Sequence, residues 1–392
     1  MSNQTFYSPV YSLHEEREAF FLPYGTDESN SAVVETFGDL DMEYAALRKG
    51  CVIFDEAHMG TLRITGSERL PFLNNMLTAK LDDLQPNQTR KSFWLNRKGR
   101  IDADLRISES TDAMYVRVDR HLAQQTADAL NGFIFAEDIE ITNASNNWHR
   151  FAIHGPQAAK LLSAALNTNE TLNELEDGQC TLATYQDQPI LIERDDICAE
   201  IGLGIAIPTD TAASLYTHLL TTAEQHPQLK ARPTGWMALN AARIEAGTPL
   251  FNLDFGDSNL PAESGIIDQR VHFAKGCYLG QEVVARMHAR GVCARQVVAL
   301  RVQDQRITPD HTEILQPTTE SQIFEPGKEN ETPVGVVTSS TISPMLGAIP
   351  ICFAMIKAGH NSPGTQLSVG AEGGIVRATI QDELQQWKKL QG

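Results

Sequence analysis

Two stretches of this chain share one order of apolar and polar positions. In "LRITGSERLPFLNNML" (62–77) a short alternating run meets a glycine, after which apolar residues return at helical spacing. "FAIHGPQAAKLLSAAL" (151–166) does the same, with Ile64 against Ile153, Gly66 against Gly155, Leu73 against Leu162 and Leu77 against Leu166. Alternation predicts a strand, the glycine a turn, and the wider spacing a helix. "MYVRVDRHLAQQTADAL" (114–130) and "GIAIPTDTAASLYTHLL" (204–220) repeat the rhythm, with Asp119 and either Thr209 or Asp210 as candidate helix N-caps. Four strand-then-helix units predict an α+β fold of two related subdomains, each with sheet on one side and helices on the other. A doubly wound nucleotide fold is disfavoured, because Gly202 and Gly204 lack the third glycine of a dinucleotide fingerprint.

From about residue 295 the texture changes. "RQVVALRVQ", "PVGVVTSST", "ICFAMIK", "TQLSVG" and "GIVRATIQ" are short β-rich runs between Pro/Gly turns, as in a small barrel or sandwich. Within it "QPTTESQIFEPGKENETP" (316–333) reads as a polar loop, and upstream the acidic "NTNETLNELEDGQ" (167–179) as a surface connection. Val334 to Ile356 is uncharged and long enough to span a bilayer. Pro344, Pro350 and a cluster of Ser/Thr break it into short strands, so no membrane span is expected.

Composition narrows the class. The 392 residues exceed one core and suit two or three domains, and 42% hydrophobic with 21% charged is ordinary for a folded protein. No basic n-region precedes an apolar run at the N-terminus, so no signal peptide is expected. Thirty-two basic against 50 acidic residues, net −18, argue against nucleic acid as a partner. Two basic islands nevertheless stand out as candidate sites for a small polyanion. Residues 90–100 hold five Lys/Arg and no acid, and residues 270–295 hold Arg270, Lys275, Arg286, Arg290 and Arg295 against Glu282 alone. Cys51, Cys180, Cys198, Cys277, Cys293 and Cys352 lack zinc spacing and read as reduced thiols of a cytoplasmic protein, with no metal site.

"VIFDEAHMGTLRITG" (52–66), "MLTAKLDDL" followed by "WLNRKGRIDADLRI" (94–107), "ALNAARIEAGTPLFNLDF" (238–255) and "PVGVVTSSTISPMLGAIPICFAMI" (333–356) together resemble the glycine-cleavage T-protein superfamily. The resemblance runs from about residue 40 to 380 and implies three lobes: two related α+β subdomains around a central folate channel within residues 1–294, and a C-terminal β-barrel over 295–392. At 275–282 T-proteins carry "KGDFIGRE", whereas "KGCYLGQE" here is similar to the YgfZ branch, folate-binding relatives that support iron–sulfur cluster assembly or repair. That resemblance implies tetrahydrofolate or a one-carbon derivative as cofactor, with iron–sulfur client or assembly proteins as partners. The competing implication is an aminomethyltransferase, which moves a one-carbon unit from a lipoyl-bound aminomethyl group to tetrahydrofolate.

Folate chemistry assigns candidate roles. A pterin has a donor-rich edge, so its site needs a carboxylate there and cations for the glutamate tail. Glu245 in "ARIEAG" matches the family glutamate that binds the pterin; the plain alternative is a helix-surface acid paired with Arg243 or solvent. The family's paired aspartates, one of which governs protonation of the reacting nitrogen, fall on Ala103 and Asp104. Asp104 shares a strand face with Asp102, and its plain alternative is an edge acid paired with Arg100 or Arg106. Cys277 is the candidate nucleophile or transient ligand, with Lys275 and nearby arginines favouring the thiolate and Lys275 also placed among the folate-binding residues. One thiolate cannot hold a cluster. Phe93 and Trp94 are candidates for the pterin wall or plain core, and a lone His58 is ordinarily structural.

Overall fold

The computed structural model describes residues 4–166, 172–291, 293–303, 306–307 and 312–388. Residues 167–171 of the acidic connection lie outside them; Leu172–Glu174 forms a 3-10 turn. The chain divides into two compact units. Unit 1 takes the chain to Trp94, then Ala103–Leu239 and Ala274–Tyr278; unit 2 takes Leu95–Asp102, Asn240–Phe273 and the chain from Leu279 onward.

Unit 1 opens with β1 (Gln4–Phe6), helix α1 (Tyr11–Glu15), β2 (Phe20–Gly25) and β3 (Ser29–Thr36), the strands forming a small sheet in the order β1-β3-β2. Helix α2 (Leu40–Lys49) leads to β4 (Cys51–Asp55), β5 (Met59–Thr65) and α3 (Arg69–Met76). Then follow β6 (Gln88–Leu95), β7 (Ile101–Glu109), β8 (Met114–Asp119), α4 (Arg120–Asn131), β9 (Glu140–Asn143), β10 (Trp148–His154) and α5 (Ala158–Leu166). After these come β11 (Cys180–Tyr185), β12 (Gln188–Arg194), β13 (Gly202–Pro208), α6 (Thr209–Gln225), β14 (Ala231–Pro233) and α7 (Trp236–Ala246), which belongs to unit 2 from Asn240 onward. Two larger sheets result, ordered β6-β7-β8-β5-β9 and β11-β12-β13-β10-β4-β14.

The sequence echo is a structural one. β5 into α3 and β10 into α5 are equivalent strand-turn-helix units, and their turns rest on Gly66 (φ +101°) and Gly155 (φ +131°). A Cβ at Gly155 would stand 2.5 Å from the carbonyl of Gly50, so the close approach excludes any side chain. Ile64, Ile153, Leu73, Leu77 and Leu162 are all buried. The expected caps fare differently. Asp119 occupies the N-cap position of α4 but makes no side-chain capping bond; its carboxylate accepts instead from the Tyr24 hydroxyl at 2.6 Å. Pro208 is the N-cap of α6, and Thr209 and Asp210 are its first two helical residues.

Unit 2 contains α8 (Gln281–Arg290) and a closed barrel. Its strands are β15 (Arg295–Val302), β18 (Gln322–Phe324), β19 (Gly335–Ser343), β20 (Ile349–Lys357), β21 (Gln366–Ala371) and β22 (Gly374–Ile380), with a two-stranded ribbon of β16 (Arg306–Ile307) and β17 (Thr312–Glu313) after β15. Alternate positions of these strands fill the interior: Val298, Leu300, Cys352, Ala354, Ile356, Leu367 and Val369 pack as one core. The stretch 316–333, expected to be loop throughout, supplies β18, which bridges β19 and β21 and so closes the barrel. The uncharged run from Val334 forms β19, a proline-led turn and β20. Among the described residues no helix is long and apolar enough to cross a membrane.

Candidate functional site

Strand β7 carries the first candidate. Ile101, Ala103 and Leu105 are buried on one side, while Asp102 and Asp104 alternate half-buried on the other, as the strand period demands. Asp102 accepts from Asn96 Nδ2 at 2.8 Å, and its pKa is raised, by burial first and by Asp257 as well. Further along the side of Asp104, Arg106 and Ser108 are buried. They belong to an ionic layer that links β7 and β8 to β10 and β12. Asp195 lies 2.8 Å from Arg106, 2.8 Å from Arg117 and 3.0 Å from Lys91; Arg117 also reaches Glu56 at 2.6 Å. The fully buried Arg150 pairs with Glu193, which also accepts from Ser108 Oγ. Burial alone would raise Asp195, but Arg106, Lys91 and Arg117 outweigh it and hold the carboxyl well below the usual range. Arg106 is therefore committed to Asp195.

His58 borders this layer. Burial pushes its pKa down to about 4, with Glu56 pulling it up and Arg117 pulling it down. Its Nδ1 and that of His154 have no hydrogen-bond partner among the described residues. A histidine at about 4 in the fold and about 6.5 unfolded binds more protons when unfolded between those values. Stability from this group is complete above pH 6.5 and is lost as pH falls toward 4, on the order of 3 kcal/mol in full. Urea midpoints measured from pH 7.5 to 5 are expected to fall, and His58→Asn to flatten that slope by close to one proton; an equal slope in the variant would assign the loss elsewhere.

The "KGCYLGQE" segment enters α8. Lys275 is buried, and its ammonium donates to the main-chain carbonyls of Asn74, Leu77 (2.6 Å) and Ala79 (2.7 Å), at and beyond the C-terminal end of α3. Burial pushes its pKa down to about 8, with Asp82 opposing. An ammonium has three donors, and these three bonds use them all. Lys275 is thus a loop anchor that satisfies orphan helix-end carbonyls. Two residues on, Cys277 is exposed, and Tyr278 is buried again. Cys51, Cys180, Cys198 and Cys352 are buried, and burial pushes the thiols of Cys51, Cys180 and Cys352 up to about 12. Cys293 is half-buried and also raised, so of the six thiols Cys277 alone is exposed. Among the described residues no group of three or more His, Cys, Asp or Glu is placed to hold a metal ion.

In unit 2 the "ARIEAG" helix is stitched to the barrel. Arg243 is buried and donates to Asp254 (2.7 Å), Ser339 Oγ (2.6 Å), Asn240 Oδ1 (3.0 Å) and the Thr248 carbonyl (3.1 Å). Asp254 also accepts from Thr338 Oγ1 and the Leu250 N–H, both at 2.9 Å. Glu245 is fully buried; its Oε1 accepts from Ser343 Oγ and from the Met345 N–H at 3.3 Å. It is not a surface acid.

The basic islands are not uniform cationic patches. Arg90 donates to the Lys80 carbonyl, Lys91 pairs with Asp195, Arg295 pairs with Glu263 at 3.2 Å, and Arg270 is buried. Arg97, Lys98, Arg100 and Arg286 are exposed. Phe93 and Trp94 are core residues, the latter edge-on to Phe133. The ionic layer itself was not anticipated. Its signal was present in "LRISES", "YVRVD", "WHRFAIH" and "LIERDD", where charged side chains occupy inward positions of otherwise apolar strands.

Comparison with known families decides the ancestry. Residues 10–275 match the GCVT N-terminal domain, and residues 295–384 match the glycine cleavage T-protein C-terminal barrel domain. The chain belongs to the glycine-cleavage T-protein family. Similar proteins of this family include the aminomethyltransferase of Caldanaerobacter subterraneus subsp. tengcongensis, 26% identical over 96% of this chain and 94% of its own. The mitochondrial aminomethyltransferase of Dictyostelium discoideum is 26% identical over 97% and 92%, and the aminomethyltransferase of Cutibacterium acnes 27% identical over 95% and 96%. The crystal structure of glycine cleavage system aminomethyltransferase T from Bartonella henselae shares the T-protein fold, with a TM-score of 0.82 at 22% identity over 99% of this chain and all of its own.

Proposed function

We propose that this chain binds tetrahydrofolate and transfers a one-carbon unit to it, as an aminomethyltransferase. The observation that carries the reading is Asp104, kept at the second of the family's paired aspartate positions and held half-buried on β7 in line with the buried Arg106. Bound tetrahydrofolate supplies the nucleophilic amine that takes up the one-carbon unit. Asp104 holds or removes the proton at that nitrogen. Glu245 faces the donor-rich pterin edge. A carboxylate accepts hydrogen bonds and donates none at neutral pH, so its chemistry suits a ligand edge rich in N–H donors. The exposed Arg97, Lys98, Arg100 and Arg286 provide cations for a glutamate tail.

The test supplies tetrahydrofolate and an aminomethyl-loaded lipoyl carrier protein, and follows ammonia release with methylene-tetrahydrofolate. Asp104→Asn is expected to cost roughly 100-fold or more in turnover, while Cys277→Ser leaves turnover within a few-fold of the parent. Tetrahydrofolate binding without turnover in the parent chain would overturn transfer.

One specific observation favours a second reading, support of iron–sulfur cluster assembly or repair in the cytoplasm. It is the exposure of Cys277 within "KGCYLGQE" while the other five thiols are covered wholly or in part. A single thiolate suits a transient redox or one-carbon step with client or assembly proteins rather than a resident cluster. Under this reading cells carrying Cys277→Ser lose iron–sulfur enzyme activities; unchanged activities would remove it.

A further inference from the structure

We infer that Ser343 is a positioning residue that fixes the plane of the Glu245 carboxylate for ligand binding; the inference rests on the proposed role of Glu245 as the folate anchor. A glutamate's terminal torsion is broad and roughly two-fold, so a buried carboxylate needs donors on one oxygen to choose an orientation. Here two donors converge on Oε1: the Ser343 hydroxyl and the Met345 N–H. The turn that presents them is itself fixed. Ser343 Oγ accepts from the Leu346 N–H at 3.2 Å, Pro344 sits at the start of the 3-10 turn Pro344–Leu346, and Gly347 ends it at φ +72°. Ser343 is fully buried, so water does not compete for its hydroxyl. From the other end, the Glu245 carbonyl accepts from the Gln386 and Trp387 N–H groups, each at 3.0 Å. Backbone and side chain of Glu245 are thus held by separate elements of unit 2. Such pre-organisation lowers the entropy lost on binding, and a charge-assisted bond from a buried hydroxyl is among the stronger single contributions. Ser339, four residues earlier on β19, provides an internal contrast, since its hydroxyl accepts from Arg243 and serves the helix-to-barrel stitch instead.

The experiment is anaerobic calorimetry of tetrahydrofolate binding by the full chain, with thermal melting run alongside. Ser343→Ala is expected to weaken affinity about tenfold, the equivalent of one charge-assisted bond. Ser343→Cys, close in shape but a weak donor, is expected to lose affinity several-fold while folding like the parent. Ser339→Ala is expected to lower the melting temperature yet keep affinity within about twofold. In the Glu245→Gln background Ser343→Ala should add nothing further, because its effect acts through that carboxylate. Additive losses, or full affinity in both Ser343 variants while Glu245→Gln binds weakly, would overturn the positioning role alone. Full affinity in Glu245→Gln would instead remove the folate role of Glu245 on which it rests.

Discussion

Arg243→Met is expected to destabilise the protein by about 3–5 kcal/mol, the cost of leaving one partner of a buried ion pair alone. Asp254 would keep the Thr338 hydroxyl and the Leu250 N–H but lose the guanidinium whose burial matches its own. The same change strips donors from Ser339, Asn240 and the Thr248 carbonyl, so one substitution frees the α7 helix from the loop after it and from strand β19. Arg243→Lys should recover little, because a single ammonium cannot reproduce the planar fork that reaches four partners. Calorimetric melting reads the result directly: for a unit of this size a loss of 3–5 kcal/mol corresponds to a fall on the order of 10 °C. A shift below about 2 °C would mean that the stitch contributes little and that helix and barrel hold together by apolar packing.

Lys275→Met is the second large effect, expected at about 2–4 kcal/mol with a local signature. Three carbonyls at and after the end of α3 lose their donor, and each buried acceptor left without one costs about 1–3 kcal/mol before water or relaxation offsets part of it. The methionine fills a similar volume, so the loss isolates the polar role. Lys275→Arg is not expected to rescue, since three carbonyls converging on one nitrogen suit an ammonium and not a flat guanidinium. Hydrogen exchange should show protection lost over 274–280 and in the last turn of α3, with little change in the barrel. Unaltered exchange at both places would deny Lys275 the anchoring role.

What the sequence allowed to be read divides along one physical line. Features governed by a short period were legible. Alternation put Asp102 and Asp104 on the same side of β7, and the paired glycines marked Gly66 and Gly155 as the turns of equivalent units. Features governed by partners far along the chain were not. Lys275 finds its carbonyls near residue 75, and Glu245 finds its hydroxyl at Ser343; no local pattern indicates either. The basic islands show the same limit, because the acceptors of Lys91 and Lys275 lie far along the chain. The N-terminal sheet was missed since "FFLPYG" carries a proline within its strand, and β18 because three residues give too little alternation to register. The family resemblance named the candidate site residues, but their local chemistry came only with the fold.

The chain passes five times between its two units. A gene fragment ending before the barrel would still encode 95–102, 240–273 and 279–294, whose companions lie in the missing part. Neither unit can therefore be inherited, fused or exchanged as one uninterrupted piece of DNA. Any single cut in the gene divides at least one of the two units.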